Sequence, residues 1–340
     1  MRHLAPRSIV SQLVAAATAV AACAALAGCG SESANAQAVR DDGSVDLSKV
    51  TLTVGDQKGG SKALLSAAGS LDEVPYTIKW KSFTSGPPLL EALNAGAIDI
   101  GGVGNTPPLF AAAAKSKIEV VSGATMGAKG DTIVVPKDSD IKSVEDLKGK
   151  KVAVAEGSSA NYNLLAQLAE VGLGYDDIEV KALQPADALA AFTNKHVDAW
   201  AIWDPYTSQA ELEGKGRILV DGAGLVNGMT FQAANPDALD DKATAAAVKD
   251  YLGRIAKAQV WSNTHRDQWA KVWAEETGLS PKVTRRAVDR RVAKPVQIGP
   301  DVIGSEQKMA DTFVANKLLP GKFDVADFFT DRFNSSVPTS

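Results

Sequence analysis

From Val50 the chain moves between two hydrophobic rhythms, one with every second residue apolar and one with apolar residues three and four apart. The first rhythm predicts strands at 50–56, 76–83, 97–104 and 118–124. The second predicts helices between them: 62–71, one that starts at 84–88 and turns Leu89, Leu90, Leu93 and Ala97 inward, and one from 105–108 to Ala114. Strand and helix alternating in this way predict an α/β fold, with a largely parallel sheet covered on both faces.

A second unit with the same rhythm begins near Thr132. Its strands fall at 132–137, 151–157, 178–183 and 197–203, and its helices at 143–150, 158–174, 185–195 and 205–212. The helix at 158–174 has one face of Leu164, Leu165, Leu168 and Val171 and closes at Gly172. Segments 89–110 and 188–209 share a local grammar of helix, acid in a short strand, loop, capping residue, proline and second helix. Asp99 then corresponds to Asp198, Thr106 to Asp204 and Pro107 to Pro205, which suggests two lobes of one architecture. In "VDAWAIWDPY" (197–206) the strand stops at Trp203, and Asp204 followed by Pro205 reads as an N-cap and first helical residue. After 225–239 the last hundred or so residues are mostly helical, with 248–263 and 266–278 the clearest, and need the first lobe to pack on.

The first thirty residues follow another rule. Arg2 and Arg7 precede an apolar or small stretch from Ile9 to Gly28, the pattern of a secretory signal. Leu26-Ala27-Gly28-Cys29 looks like a bacterial lipobox, with Cys29 as the lipidated first residue of the exported protein. The expected division is a signal at 1–28, a polar tether at 29–48, lobe I at 49–131 and 228–336, and lobe II at 132–227. A single lipidated cysteine would hold the protein on the outer face of the cell membrane without a spanning helix. The only other cysteine, Cys23, lies within the signal, so no disulfide framework is expected.

Composition narrows the function. A net charge of −4 gives no reason to expect nucleic acid. His196 and His265 have no partner at metal spacing, and no nucleophile elbow or Walker motif stands in its required context, so no metal, cofactor or enzyme activity is expected. Candidate chemistry lies where strands hand over to helices, because ligands of open α/β sheets bind at those helix N-termini. Four junctions stand out: 83–88, 104–108, 156–161 and 203–205. Pro87, Pro88, Pro107 and Pro108 remove backbone donors from two of them, which leaves the Gly157-Ser158-Ser159 helix as the better anion site. No arginine occurs in these motifs, favouring a neutral, hydrogen-bonding site for a weakly basic monoanion. Lys58 and Lys62 lie near a strand end, where exposed lysines usually meet only water.

The stretches "VGDQKGG", "SGPPLLEALNAGAIDIGGVGNTPPLFA", "DLKGKKVAVAEGSSANYNLLAQL" and "VDAWAIWDPY" resemble the aliphatic-sulfonate binding proteins of ABC importers, in consistent order over roughly 50–320. Relatives in that family bind taurine, nitrate or thiamine-type pyrimidines, and some of the last perform chemistry on the same fold. The resemblance implies a two-lobed, type II periplasmic-binding-protein fold with a helical C-terminal tail. Its crossovers would fall near 130–134 and 226–231, and as a monomer it would close on one small anion and dock on a membrane permease. Carried onto this chain, the ligand shell is Gln57, Ser85, Gly86, Gly104, Asn105, Ser158, Ser159, Asn161 and Trp203, with Asp204 at its edge. Trp203 would cover the aliphatic part of the ligand above a core Trp200. Asp204 would either cap its helix or meet the ammonium group of a zwitterion.

Overall fold

The computed structural model describes residues 35–338. The signal segment, Cys29 and the first part of the tether lie outside them. Eleven strands are described: β1 (Thr51–Gln57), β2 (Thr77–Phe83), β3 (Ile100–Gly104), β4 (Glu119–Thr125), β5 (Thr132–Pro136), β6 (Lys151–Val154), β7 (Glu179–Ala182), β8 (Ala199–Ile202), β9 (Gly216–Asp221), β10 (Met229–Ala234) and β11 (Lys294–Val296). They build two sheets, ordered β11-β4-β10-β3-β1-β2 and β7-β6-β8-β5-β9. Both sheets are mixed rather than largely parallel. β1 runs parallel to β2 and β3, and β6 to β7 and β8. The strands next to the crossovers, β5 and β10, are antiparallel to both their neighbours because the chain enters each sheet there from the other lobe.

The repeated grammar has a shared physical basis. Asp99 Oδ2 accepts the Thr53 N–H at 2.7 Å, and Asp198 Oδ2 accepts the Lys151 N–H at 2.8 Å. Each acid sits just ahead of the third strand of its parallel set and satisfies a donor of the first, which lies beside it. The alternation read in 197–203 has a different outcome from a half-buried strand. β8 is the middle strand of five and lies between helices, so all four of its residues are buried. Ala199 and Ala201 pack with Val152, Val154 and Leu164 on one face, while Trp200 packs with Phe192 and Tyr206 on the other.

Lobe I is completed from far along the chain. β10 returns to the first sheet, and helix Lys242–Ser262 buries Tyr251 and Leu252 against Leu52, Val54 and Leu65. Its N-cap, Asp241, accepts the Thr244 N–H at 2.7 Å, satisfying one of the donors that a helix start leaves unpaired. Helix Arg266–Thr277 adds the stacked pair Trp269 and Trp273, with ring centroids 5.4 Å apart.

The segment read as a tether is folded from Asn35 onward. Asn35 is buried, with its Oδ1 accepting Thr51 N–H at 2.9 Å and its Nδ2 donating to Thr51 O at 3.1 Å and Thr244 Oγ1 at 2.8 Å. Val39 bridges to Val45. Small polar composition predicts solvation, but one amide here satisfies both backbone groups at the start of β1, and that holds the segment down.

Candidate ligand-binding cleft

The strand ends of the two sheets face each other across a cavity of about 180 Å³. Lobe I contributes Asp56, Gln57 and Lys58 from the end of β1, Gly104 from the end of β3, and Gly86 and Pro107 from two helix starts. Lobe II contributes Ser158, Ser159, Trp203 and Asp204. The crossovers add Gly130, Asp131 and Gly228. The lobes touch around this space. A Cβ on Gly104 would lie 3.3 Å from Ser159 Cβ, so the loop after β3 needs its missing side chain to come this close. Gly59, also in the lining, has φ +72 and lies against the Trp273 indole, where a Cβ would be only 1.6 Å from Nε1.

Seven of the ten expected shell residues line this cavity: Gln57, Gly86, Gly104, Ser158, Ser159, Trp203 and Asp204. Ser85, Asn105 and Asn161 do not. Ser85 is fully buried and donates to Gln184 Oε1 at 2.8 Å, beside Thr84 Oγ1 at 3.1 Å, which makes it a contact between lobes. Asn105 Nδ2 donates to Asn227 Oδ1 in the second crossover at 2.7 Å. Asn161 Oδ1 accepts the Gly157 N–H at 2.9 Å and its Nδ2 bonds Tyr175 Oη, which shapes the Gly-Ser-Ser turn from behind.

The Gly157-Ser158-Ser159 junction starts the twelve-residue helix Ser159–Glu170. Ser158 Oγ accepts the Asn161 N–H at 3.3 Å, and Ser159 Oγ donates to Asp131 Oδ1 at 3.0 Å. The positive end of this helix thus opens on the cavity, where it favours an anion. Partial burial in the cavity wall raises the Asp131 carboxyl pKa to about 6, with Ser159 and Arg291 pulling the other way and Asp204 adding to the rise.

The expectation of a neutral, arginine-free site is overturned by the C-terminal third. Arg291, in the link between helix Pro281–Asp289 and β11, enters the cavity wall. Its guanidinium carbon lies 4.9 Å from the Trp273 ring centroid and 5.9 Å from that of Trp269, close enough for cation–π attraction. It donates to the backbone oxygen of Asp204 at 3.0 Å and has no ion pair among the described residues. Burial lowers its pKa, opposed by the charges of Asp204 and Asp131. The sequence carries no local sign of this, because "DRRVAKP" follows an ordinary helix and only tertiary packing brings it to the cleft. Of the two lysines near β1, Lys62 pairs with exposed Glu276 at 2.6 Å, whereas Lys58 lines the cavity with its Nζ 5.5 Å from the Tyr206 ring centroid.

Asp204 has partners on both sides. Helix Tyr206–Leu212 starts one residue later than expected, with Pro205 at its N-cap, so Asp204 stands just outside it. Asp204 Oδ1 accepts Ser208 N–H at 3.0 Å and Ser208 Oγ at 2.6 Å. Both carboxylate oxygens also lie 3.3 Å from Arg290 Nη1, which reaches across from lobe I. Arg290 also pairs with Glu211 on the same lobe II helix. Burial disfavours the Arg290 charge, but Asp204 and Glu211 outweigh that and raise its pKa.

The NMT1-like family matches residues 64–274. An aliphatic sulfonates-binding protein of Escherichia coli (strain K12) is 38% identical over 285 residues, covering 82% of this chain and 88% of that protein. Among solved structures, the alkanesulfonate-binding protein SsuA from Xanthomonas axonopodis pv. citri, bound to MOPS, aligns with a TM-score of 0.77 at 38% identity, over 82% of this chain and 98% of that one. The periplasmic aliphatic sulphonate binding protein SsuA from Escherichia coli aligns with a TM-score of 0.72 at 36% identity, over 82% and 96%. The match extends over nearly the whole of those proteins, and the chain belongs to the NMT1-like family, with aliphatic-sulfonate-binding proteins among its relatives.

Proposed function

We propose that the protein is the exported solute-binding component of an ABC importer, that it captures an aliphatic sulfonate between its lobes, and that it passes the ligand to a membrane permease. The observation that carries this reading is Arg291, a half-buried cation in the cleft wall with no ion pair among the described residues. It lies in the same cavity as the N-terminus of helix Ser159–Glu170. A fixed cation and a helix N-terminus together favour one anionic head group. The apolar body of the ligand would lie against Trp203, Trp269, Met126 and Met229, a lining that suits an alkyl chain better than bare nitrate.

The sulfonate-binding proteins among the relatives support binding rather than catalysis. Seven of the expected contacts are retained in this reading, namely Gln57, Gly86, Gly104, Ser158, Ser159, Trp203 and Asp204, with Arg291 and Lys58 added. Attachment through Cys29 to the extracytoplasmic face of the cell membrane rests on the lipobox and on the periplasmic relatives; there the protein would act as a monomer.

The test is a thermal-shift panel of propane-1-sulfonate, taurine, sulfate, nitrate and a thiamine-type pyrimidine at matched ionic strength. A ligand at 100 times its Kd stabilises the native state by about 2.7 kcal/mol, a visible rise in Tm. A rise with propane-1-sulfonate is the expected result. A rise confined to nitrate or the pyrimidine would overturn the sulfonate assignment.

A further inference from the structure

Asp204 poses a problem for the proposed function, on which this inference rests. It lines the cavity directly after Trp203, and a free carboxylate there would repel a sulfonate and attract an ammonium group. Both of its oxygens are taken. Ser208 supplies two neutral donors from its own helix, and Arg290 supplies the one charge. The side chains of this ion pair are 1% exposed for Asp204 and 12% for Arg290, so water does little to screen it.

We infer that Arg290 is a specificity-determining residue, which by holding the Asp204 carboxylate lets the cleft accept plain alkanesulfonates and disfavours their amino-substituted counterparts. Arg290 does not line the cavity and acts through Asp204, so it is a positioning residue rather than a ligand contact. The arrangement around it fits that role. Glu211 shares Arg290 with Asp204, and Arg286 stands 3.9 Å from Glu211, so two arginines of lobe I face two acids of lobe II. The charge balance at the edge of the cleft is therefore completed only when the lobes meet. Arg291, next in the chain, bonds the backbone oxygen of the same Asp204 and leaves its own charge for the ligand. Two successive residues thus divide the work: Arg290 cancels the acid and Arg291 faces the anion.

A plain closure latch would have a different signature. Losing a latch weakens every ligand by the same factor, because it changes only the cost of closing the lobes. Losing the neutralisation of Asp204 weakens one class of ligand and spares the other.

Propane-1-sulfonate and taurine separate the two cases, since they differ by a methyl in place of an ammonium at the same position. Isothermal titration of the wild type, Arg290→Gln, Asp204→Asn and the double variant with both ligands gives a complete cycle. In Arg290→Gln, propane-1-sulfonate should lose at least tenfold in affinity and taurine much less, so that their Kd ratio moves at least tenfold toward taurine. In the Asp204→Asn background the same Arg290→Gln change should leave that ratio unmoved. Equal weakening of both ligands, or a ratio shift that persists without Asp204, overturns the inference. Should Arg290→Gln fail to fold, Asp204→Asn alone must move the ratio toward propane-1-sulfonate, and no movement overturns it. A wild type that binds neither ligand removes the sulfonate reading itself, and shows it before any variant is made.

Discussion

The turns that leave β3 and β8 hold equivalent places in the two lobes and are fastened in opposite ways. After β3, Asn105 bonds Asn227 in the second crossover, and Asn227 in turn donates to Glu306 Oε1 at 2.8 Å and Ser305 Oγ at 3.0 Å. After β8, Asp204 is fastened to arginines that arrive from the other lobe. One turn is tied to the hinge by amides and the other spans the cleft by charge. A hinge contact persists while the lobes move, whereas a contact across the cleft is made and broken with closure. Ligand choice is therefore expected to depend on the charged turn, and the resting geometry of the hinge on the neutral one.

Four changes would break or sharpen this contrast. The largest effect is expected for Arg291→Met, which leaves an apolar chain where the cation was. Propane-1-sulfonate affinity should fall about 100-fold, in line with about 1.5–3 kcal/mol for charge-assisted hydrogen bonds. The Tm of the free protein should hold or rise, since a partly desolvated charge is removed. A loss of less than threefold in titration would take Arg291 out of the site.

Trp203→Ala comes next, on the charged turn. Removing the apolar cover should weaken an alkanesulfonate by roughly tenfold, at the lower end of the ~1.5–3 kcal/mol for burying a large apolar side chain. The loss should be larger for longer chains, and equal losses for methane- and butanesulfonate would show that Trp203 does not meet the chain.

On the neutral turn, Glu306 gives a pH signature. It is fully buried, and burial raises its carboxyl pKa from 4.5 to about 8 against the opposing Asn227 bond. The fold favours its neutral form, so this contribution to stability is complete below about 4.5 and is lost as the pH rises through about 8. Glu306→Gln should flatten the fall in Tm across that window, and a slope equal to that of the wild type would place the titration elsewhere. The smallest effect belongs to Asn105→Ala, with about 1 kcal/mol lost in denaturant unfolding for a buried hydrogen bond and ligand affinity within twofold. A tenfold change in affinity would return Asn105 to the ligand shell.

Much of the fold was legible, because strand and helix rhythms are local and the prolines and glycines at 84–88, 104–108 and 157–159 punctuate them. The equivalence of Asp99 and Asp198 was legible for the same reason, since each acid reports a pairing between neighbouring parallel strands. Whether alternation meant one buried face or two was not legible, as β8 shows, because that depends on helices packed from elsewhere. The cleft was legible in its junctions and illegible in its charge. Arg290 and Arg291 lie more than 80 residues from Asp204 and reach it through the packing of helix Pro281–Asp289 on helix Tyr206–Leu212. Lys58 and Lys62, four residues apart, show the same limit: β1 ends between cavity and solvent, and nothing local says which lysine turns which way.

The register of the second sheet has a consequence for how such a molecule can be altered. Thr132 pairs with Asp221, so the chain enters and leaves this sheet at adjacent points. Lobe II is in effect a cassette inserted into lobe I, and recombination or grafting could exchange it whole with two neighbouring joins. Asp204 and Glu211 would travel with the cassette, while Arg290 and Arg291 would stay behind. A chimera that took a new lobe II without matching those two arginines would inherit the shape of the cleft and lose its charge balance.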